Sequence, residues 1–408
     1  MPVIRFFVVL LVLLSAPIQA AGKHSVDLDY QVSFLPESGQ ALVKILLEES
    51  AAVISLDFDL GNKGYYSDFK GSGTISEQDG KLLWTPGKGK AKGILSYRVK
   101  IDHPRADDRY DARMTADWAL LRGDDLIPSA QLVQEDNVEL VSRLQFELPP
   151  GWKGVETGWP RVGKNRFRID NPSRKFDRPT GWIIAGKIGS RRDQLGDADV
   201  SVAAPVGEGM RRMDILTLLT FVWPQAAEAF QRQPKKLLIV GANDPMWRGG
   251  LSAPNSFFMH SARPLVSENG TSSLVHELVH VFTRIRDTDN SDWISEGIAE
   301  FYAIELVRRA GGMSEYRYQA IRSKLQKWSK GVKTLRGPSS TGPVTARAVL
   351  LLQDLDQEIR KQTDNQRSLD DVTRGLMRLE KASTKDFIGI CENILGRTPA
   401  VLDTRLLR

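Results

Sequence analysis

The chain has 408 residues, 41% hydrophobic and 26% charged, enough to bury two or three cores and too apolar for a disordered chain. Its 56 Lys and Arg against 50 Asp and Glu are scattered, without the basic stripe that a nucleic-acid-binding module would show. Its single cysteine, Cys391, excludes a disulfide-stapled scaffold.

Arg5 is followed by the apolar run Phe6–Leu14, then Pro17 and Ile18-Gln19-Ala20-Ala21. A charged start, a short apolar core and small residues predict a cleaved signal peptide over 1–20, cut after Ala20 or Ala21. The run is too short for a stable transmembrane anchor, and nothing later in the chain is longer. An exported protein is expected, and the lack of disulfides points to a bacterial periplasm. In that setting Asn269-Gly270-Thr271 reads as a turn leading into a helix rather than a glycosylation site.

Over 21–190 the apolar pattern has a period of two. Val26, Leu28, Tyr30, Val32 and Phe34 alternate with polar residues, as do Ala41–Leu47, Ile54–Leu60, Leu95–Ile101 and Leu144–Leu148. Such runs, separated by Gly, Pro, Asp and Asn, predict a β-sandwich. Residues 191–209, rich in Gly, Asp and Ala, read as a linker. Helical periodicity follows over Ile215–Phe230, with Pro224 as a kink or a helix start, and Leu237–Val240 reads as a buried strand. A possible strand at Ser256–His260 would wall a cleft along which an extended substrate lies; His260 could face that cleft, but among aromatic and apolar neighbours it reads more readily as a core residue.

The most informative stretch is His276-Glu277-Leu278-Val279-His280 followed by Trp293-Ile294-Ser295-Glu296-Gly297-Ile298-Ala299-Glu300. Residues four apart lie on one face of a helix, so His276 and His280 can hold one zinc ion while Glu277 leans over its open side. Glu296 is placed to be the third ligand from a second helix. Glu300, one turn further on, is either an alternative ligand or the carboxylate that holds a ligand histidine, the second being preferred. A zinc catalytic domain is expected over 210–330. The helix bearing Glu296 should stop at Gly311-Gly312, and Tyr316–Trp328 reads as a basic amphipathic helix on the surface. A helical C-terminal domain is expected over 331–408, with Val344–Arg360 as its main helix, Ser368 as an N-cap and Gly396 as a stop.

With both zinc segments in view, the chain resembles the gluzincin metallopeptidases, most closely the glycyl-aminopeptidase family. The likeness covers most of the chain past residue 20. It rests on H-E-L-V-H at 276–280, W-I-S-E-G-I-A-E-F-Y at 293–302 and E-I-R-K-Q-T-D-N-Q-R-S-L-D-D-V at 358–372. It implies a multidomain α+β fold: an N-terminal β-sandwich, a thermolysin-like zincin domain and a C-terminal helical region. It also implies His276, His280 and Glu296 as ligands of one Zn2+ per chain, and Glu277 as general base. Three features depart from the family. The chain reaches Arg408 without the usual PDZ domain. Its Gly-rich substrate strand, Gly249-Gly250-Leu251-Ser252, has Ser252 where an acidic residue would hold the substrate amine. Thr345-Ala346-Arg347-Ala348 stands where an oxyanion-stabilising tyrosine is expected, leaving Arg347, His260, Tyr316 and Tyr318 as candidates for that role.

The function expected is an exported zinc peptidase acting on a peptide or protein, with exo or endo mode open and the aminopeptidase mode disfavoured by the missing amine anchor. The alternative is a catalytically silent zinc-binding envelope protein that recognises peptides or scaffolds a complex. A hydrolase of a non-peptide amide is a third, weaker reading.

Overall fold

The structure is a computed structural model, and it describes residues 23–61, 63–171, 176–268 and 270–408. The expected signal peptide and Asn269 of the sequon lie outside the described residues. Period-two alternation does build the N-terminal region. His24–Leu35 runs antiparallel to Gln40–Leu47 and parallel to Val138–Glu147 in a seven-stranded sheet. Val26, Leu28, Tyr30, Val32 and Phe34 all point inward, each no more than 3% exposed. A four-stranded sheet (Ala130–Gln134, Val53–Asp59, Lys81–Thr85, Thr74–Gln78) and a five-stranded sheet containing Trp118–Arg122 and Trp182–Gly186 share its core. A one-turn helix, α1 (Gly123–Leu126), links into this region. Ile54 was expected inside but is 47% exposed. A register shift opposite Val133 and Gln134 makes it the extra residue of a bulge, so Val53, Leu56 and Phe58 turn inward instead.

The expected linker at 191–209 is instead a β-hairpin. Ile188–Leu195 pairs with Ala198–Pro205, and Gly196-Asp197 forms the turn, with Gly196 at a φ of 56°, in the left-handed region that suits glycine. The Gly and Asp signal marked only this turn. Ala198, Val200, Val202 and Ala204 are fully buried beneath the helices. The hairpin begins a second five-stranded sheet that continues, in parallel, through Lys236–Val240 and Ser256–Met259 and ends on the antiparallel edge strand Gly250–Ala253. The crossover between its first parallel pair is α2 (Arg212–Phe230), one helix with Pro224 inside it.

The inner strands of this sheet are buried on both faces. Leu237, Ile239, Phe257 and Met259 pack on helices, whereas Leu238, Val240 and Phe258 pack on Trp118, Leu120, Trp182 and Ile184 of the N-terminal region. The helices that follow are α3 (Ser273–Thr283), α4 (Trp293–Arg309), α5 (Glu315–Trp328), α6 (Pro343–Gln362), α7 (Leu369–Leu376) and α8 (Thr384–Leu395). Residues 331–408, expected as a domain of their own, share one apolar core with α2, α3 and α4. Among the described residues no helix is long and apolar enough to cross a membrane.

Candidate metal centre and cleft

The helix α3 is fixed at both ends by local sequence. The Ser272 hydroxyl accepts from the Val275 N–H at its start, and Arg284, in the left-handed region, donates its N–H to the His280 carbonyl at its end. Leu274, Val275, Leu278, Val279, Val281 and Phe282 bury its flanks, so one narrow face carries His276, Glu277 and His280 to the cleft. α4 crosses it and is anchored from behind. The Trp293 indole donates to Thr384 at 3.1 Å, and the Tyr302 hydroxyl donates to Asp370 at 2.8 Å. These anchors set the height at which Glu296 and Glu300 meet α3.

The two Nε2 atoms of His276 and His280 lie 3.2 Å apart. One carboxylate oxygen of Glu296 is 3.3 Å from the first, and the other is 3.4 Å from the second. Donors held 2.0–2.1 Å from a tetrahedral zinc ion would be separated by about 3.3 Å. The donor set therefore fits zinc in both spacing and chemistry, and among the described residues it is the one His/Cys/Asp/Glu group close enough to hold a metal ion. Glu300 is not part of it. Its carboxylate lies 2.9 Å from Nδ1 of His276, where it fixes the ring and leaves the Nε2 lone pair for the metal.

Electrostatics agree with a site built for a cation. Burial raises the Glu277 carboxyl, opposed by His276 and His280. Burial would also raise Glu296, but its hydrogen bonds to both histidines hold it well below the usual carboxylate range. Burial disfavours charge on His276, yet bonds to Glu296 and Glu300 outweigh it and bring its pKa to about 10 in the metal-free protein. Glu277 also meets the edge strand. It takes a backbone hydrogen bond from Ser252, and a Cβ on Gly250 would come 2.7 Å from its Oε1. The glycine is needed for that close approach.

The site opens into a cleft of about 730 Å³. Gly249 and Gly250 line it. Leu251 turns to a neighbouring cavity and gives its carbonyl to the Trp182 indole, while Ser252 reaches the site through its backbone. None of the four oxyanion candidates lines the cleft. His260 is 1% exposed with Nε2 3.4 Å from Asp244, and Tyr316 is 86% exposed on the first turn of α5. Tyr318 packs beneath the Arg308 guanidinium, and Arg347 follows the lining residues Thr345 and Ala346 on α6 without lining the cleft itself. The sequence also mislaid α5. Ile321, Lys324, Leu325 and Trp328 recur at helical spacing and line the cleft, a face that the basic composition of the segment disguised as surface. Arg263, Trp247 and Ser340 also line the cleft and had no sequence signal.

No protein-family model matches the chain, and no curated protein is similar to it in sequence. Solved structures do match. An aminopeptidase N family protein from Idiomarina loihiensis superposes with a TM-score of 0.65 at 14% identity, over 91% of this chain and 76% of that one. An M1 zinc metallopeptidase from Deinococcus radiodurans, solved as a variant with a Tyr-Ser-Ala substrate, gives 0.55 at 15% identity, over 92% and 91%. At such identities the likeness is one of fold: the chain shares the fold of these two proteins.

Proposed function

We propose that the protein is an exported zinc metallopeptidase that hydrolyses peptide bonds. The observation that carries this reading is the set of three donors spaced as corners of a zinc tetrahedron, with Glu277 beside them lining the cleft. His276, His280 and Glu296 are assigned as ligands, and Glu300 orients His276 through Nδ1. Zinc bound there would supply a Lewis acid and acidify a water near neutral pH. Glu277, raised by burial, accepts a proton from the attacking water and delivers it to the leaving nitrogen. The glycines at 249 and 250 leave room for an extended backbone beside this carboxylate.

A second reading has one observation in its favour: none of the four side chains considered for the oxyanion lines the cleft, as a zinc-binding but silent peptide-recognition protein would allow. Replacing Glu277 by Gln separates the two. Glu277→Gln should keep one zinc per chain by elemental analysis and lose at least about a hundredfold in peptide hydrolysis, the scale of general acid–base catalysis. Zinc binding without cleavage of a mixed peptide library by the wild type would favour the silent protein, and absence of zinc would remove both readings.

A further inference from the structure

The carboxylates lining the cleft, among the described residues, are Glu277, Glu296 and Glu300. All three are engaged at the histidine cluster: Glu296 with both Nε2 atoms, Glu300 with Nδ1 of His276, and Glu277 beside them. None remains to hold a substrate ammonium group. The strand that would carry such an anchor reads Gly-Gly-Leu-Ser-Ala over 249–253. The charged side chains that do line the cleft away from the cluster are cations, Arg263 and Lys324.

Arg263 is fixed in place. Its Nε donates to the Arg248 carbonyl at 2.9 Å and its Nη1 to the Ser273 hydroxyl at 2.8 Å. Ser273, to which the guanidinium is tied, lies about 5 Å before His276 and Glu277 along the axis of α3. Among the described residues no carboxylate lies within ion-pair distance of it, although neighbouring Arg248 is paired with Asp244. A fixed guanidinium with unused donors is suited to a planar carboxylate.

We propose that Arg263 makes this cleft selective for peptides anchored by a carboxylate near the scissile bond rather than by their α-ammonium group. This rests on the peptidase reading above. The carboxylate has two possible sources, an Asp or Glu side chain and the peptide's own C-terminus, and both present the same chemistry to Arg263.

The test uses the zinc-loaded full chain and matched peptides, each with a free and an acetylated N-terminus. One set carries an internal Glu and an amidated C-terminus, a second is neutral with a free C-terminal carboxylate, a third is neutral and amidated, and a fourth carries Lys in place of Glu. Expected is cleavage that survives acetylation and favours a carboxylate-bearing set over the neutral amidated one by about tenfold or more in kcat/KM, the worth of one charge-assisted hydrogen bond. The favoured set identifies the source. Arg263→Gln should erase most of that preference through KM, Arg263→Lys should keep part of it, and Arg263→Glu should invert the order of the Glu and Lys peptides. Zinc content and melting temperature verify that each variant is folded. Loss of cleavage on acetylation, equal cleavage of all four sets, or a preference untouched in Arg263→Gln would overturn the proposal and leave the peptidase reading intact. No cleavage of any peptide by zinc-loaded wild type would overturn both.

Discussion

His276 faces two carboxylates at once, Glu296 across Nε2 and Glu300 across Nδ1. Without metal it is an imidazolium with a pKa of about 10, against 6.5 for an unperturbed histidine. The folded pKa is raised, so the ion pairs it makes stabilise the metal-free protein fully below pH 6.5, and that contribution is lost as pH rises toward 10. Zinc binds only the deprotonated ring, so uptake must expel this proton. Zinc affinity, measured by competition with a chelator, should therefore rise by close to tenfold per pH unit over that window, with about one proton released per ion. The gap in melting temperature between zinc-loaded and chelated protein should widen from pH 6 to pH 9. A flat profile would mean that Nε2 of His276 is not the proton's seat. The pair His276 and His280 was legible because a spacing of four needs nothing beyond the helix. Arg263 was not, since its place depends on a loop returning to Ser273.

Helices were legible wherever the chain carries its own punctuation. The Ser368 capping box opens α7 and Gly396 closes α8, as their residue types announce. What periodicity does not contain is where a helix points, which is why α5 was read as surface. The partners that α4 would find were equally hidden. Asp370, in the first turn of α7, receives both the Tyr302 hydroxyl and the Arg309 guanidinium, the latter at 2.8 Å. The crossing of α4 on α6 is tighter still. A Cβ on Gly297 would lie 2.9 Å from the Ala348 Cβ and 3.3 Å from Leu352 Cδ1. Gly297→Val should push the helices apart at a cost of about 2–3 kcal/mol. Glu296 is the adjacent residue, so zinc affinity should fall along with the melting temperature. Ala348→Gly in the same chain should return part of both losses by making room. If the double variant is no better than the single one, the crossing is not what glycine serves here.

Across the whole molecule, three stacked layers tie the N-terminal region to the site. The sheet containing Trp118–Arg122 and Trp182–Gly186 turns Ala119, Leu121, Ile183 and Ala185 into the sandwich core, and Leu120, Trp182 and Ile184 toward the second sheet. This was not legible. A strand buried on both faces reads as a continuous apolar run, and no local signal says which two cores it divides. Trp182 is the sharpest link between the layers. Its ring centroid is 5.2 Å from that of Phe258, its backbone N–H donates to Ser256 at 2.8 Å, and its indole N–H donates to the Leu251 carbonyl at 2.9 Å. A residue of the N-terminal region thus buttresses the edge strand next to Gly250, which in turn abuts Glu277. Trp182→Ala should cost about 3–5 kcal/mol, the usual scale for deleting a buried large aromatic. The three proposed metal donors sit on α3 and α4, away from this contact, so zinc should stay bound at temperatures where the variant remains folded. Peptide hydrolysis should nevertheless drop, with KM rising as the strand loses its backing. Trp182→Phe keeps the ring against Phe258 but lacks the indole N–H, so it should recover most of the stability and less of the KM. If Trp182→Ala melts lower with unchanged KM, the N-terminal region is only a support for folding. If KM moves, it is part of how the cleft holds its substrate.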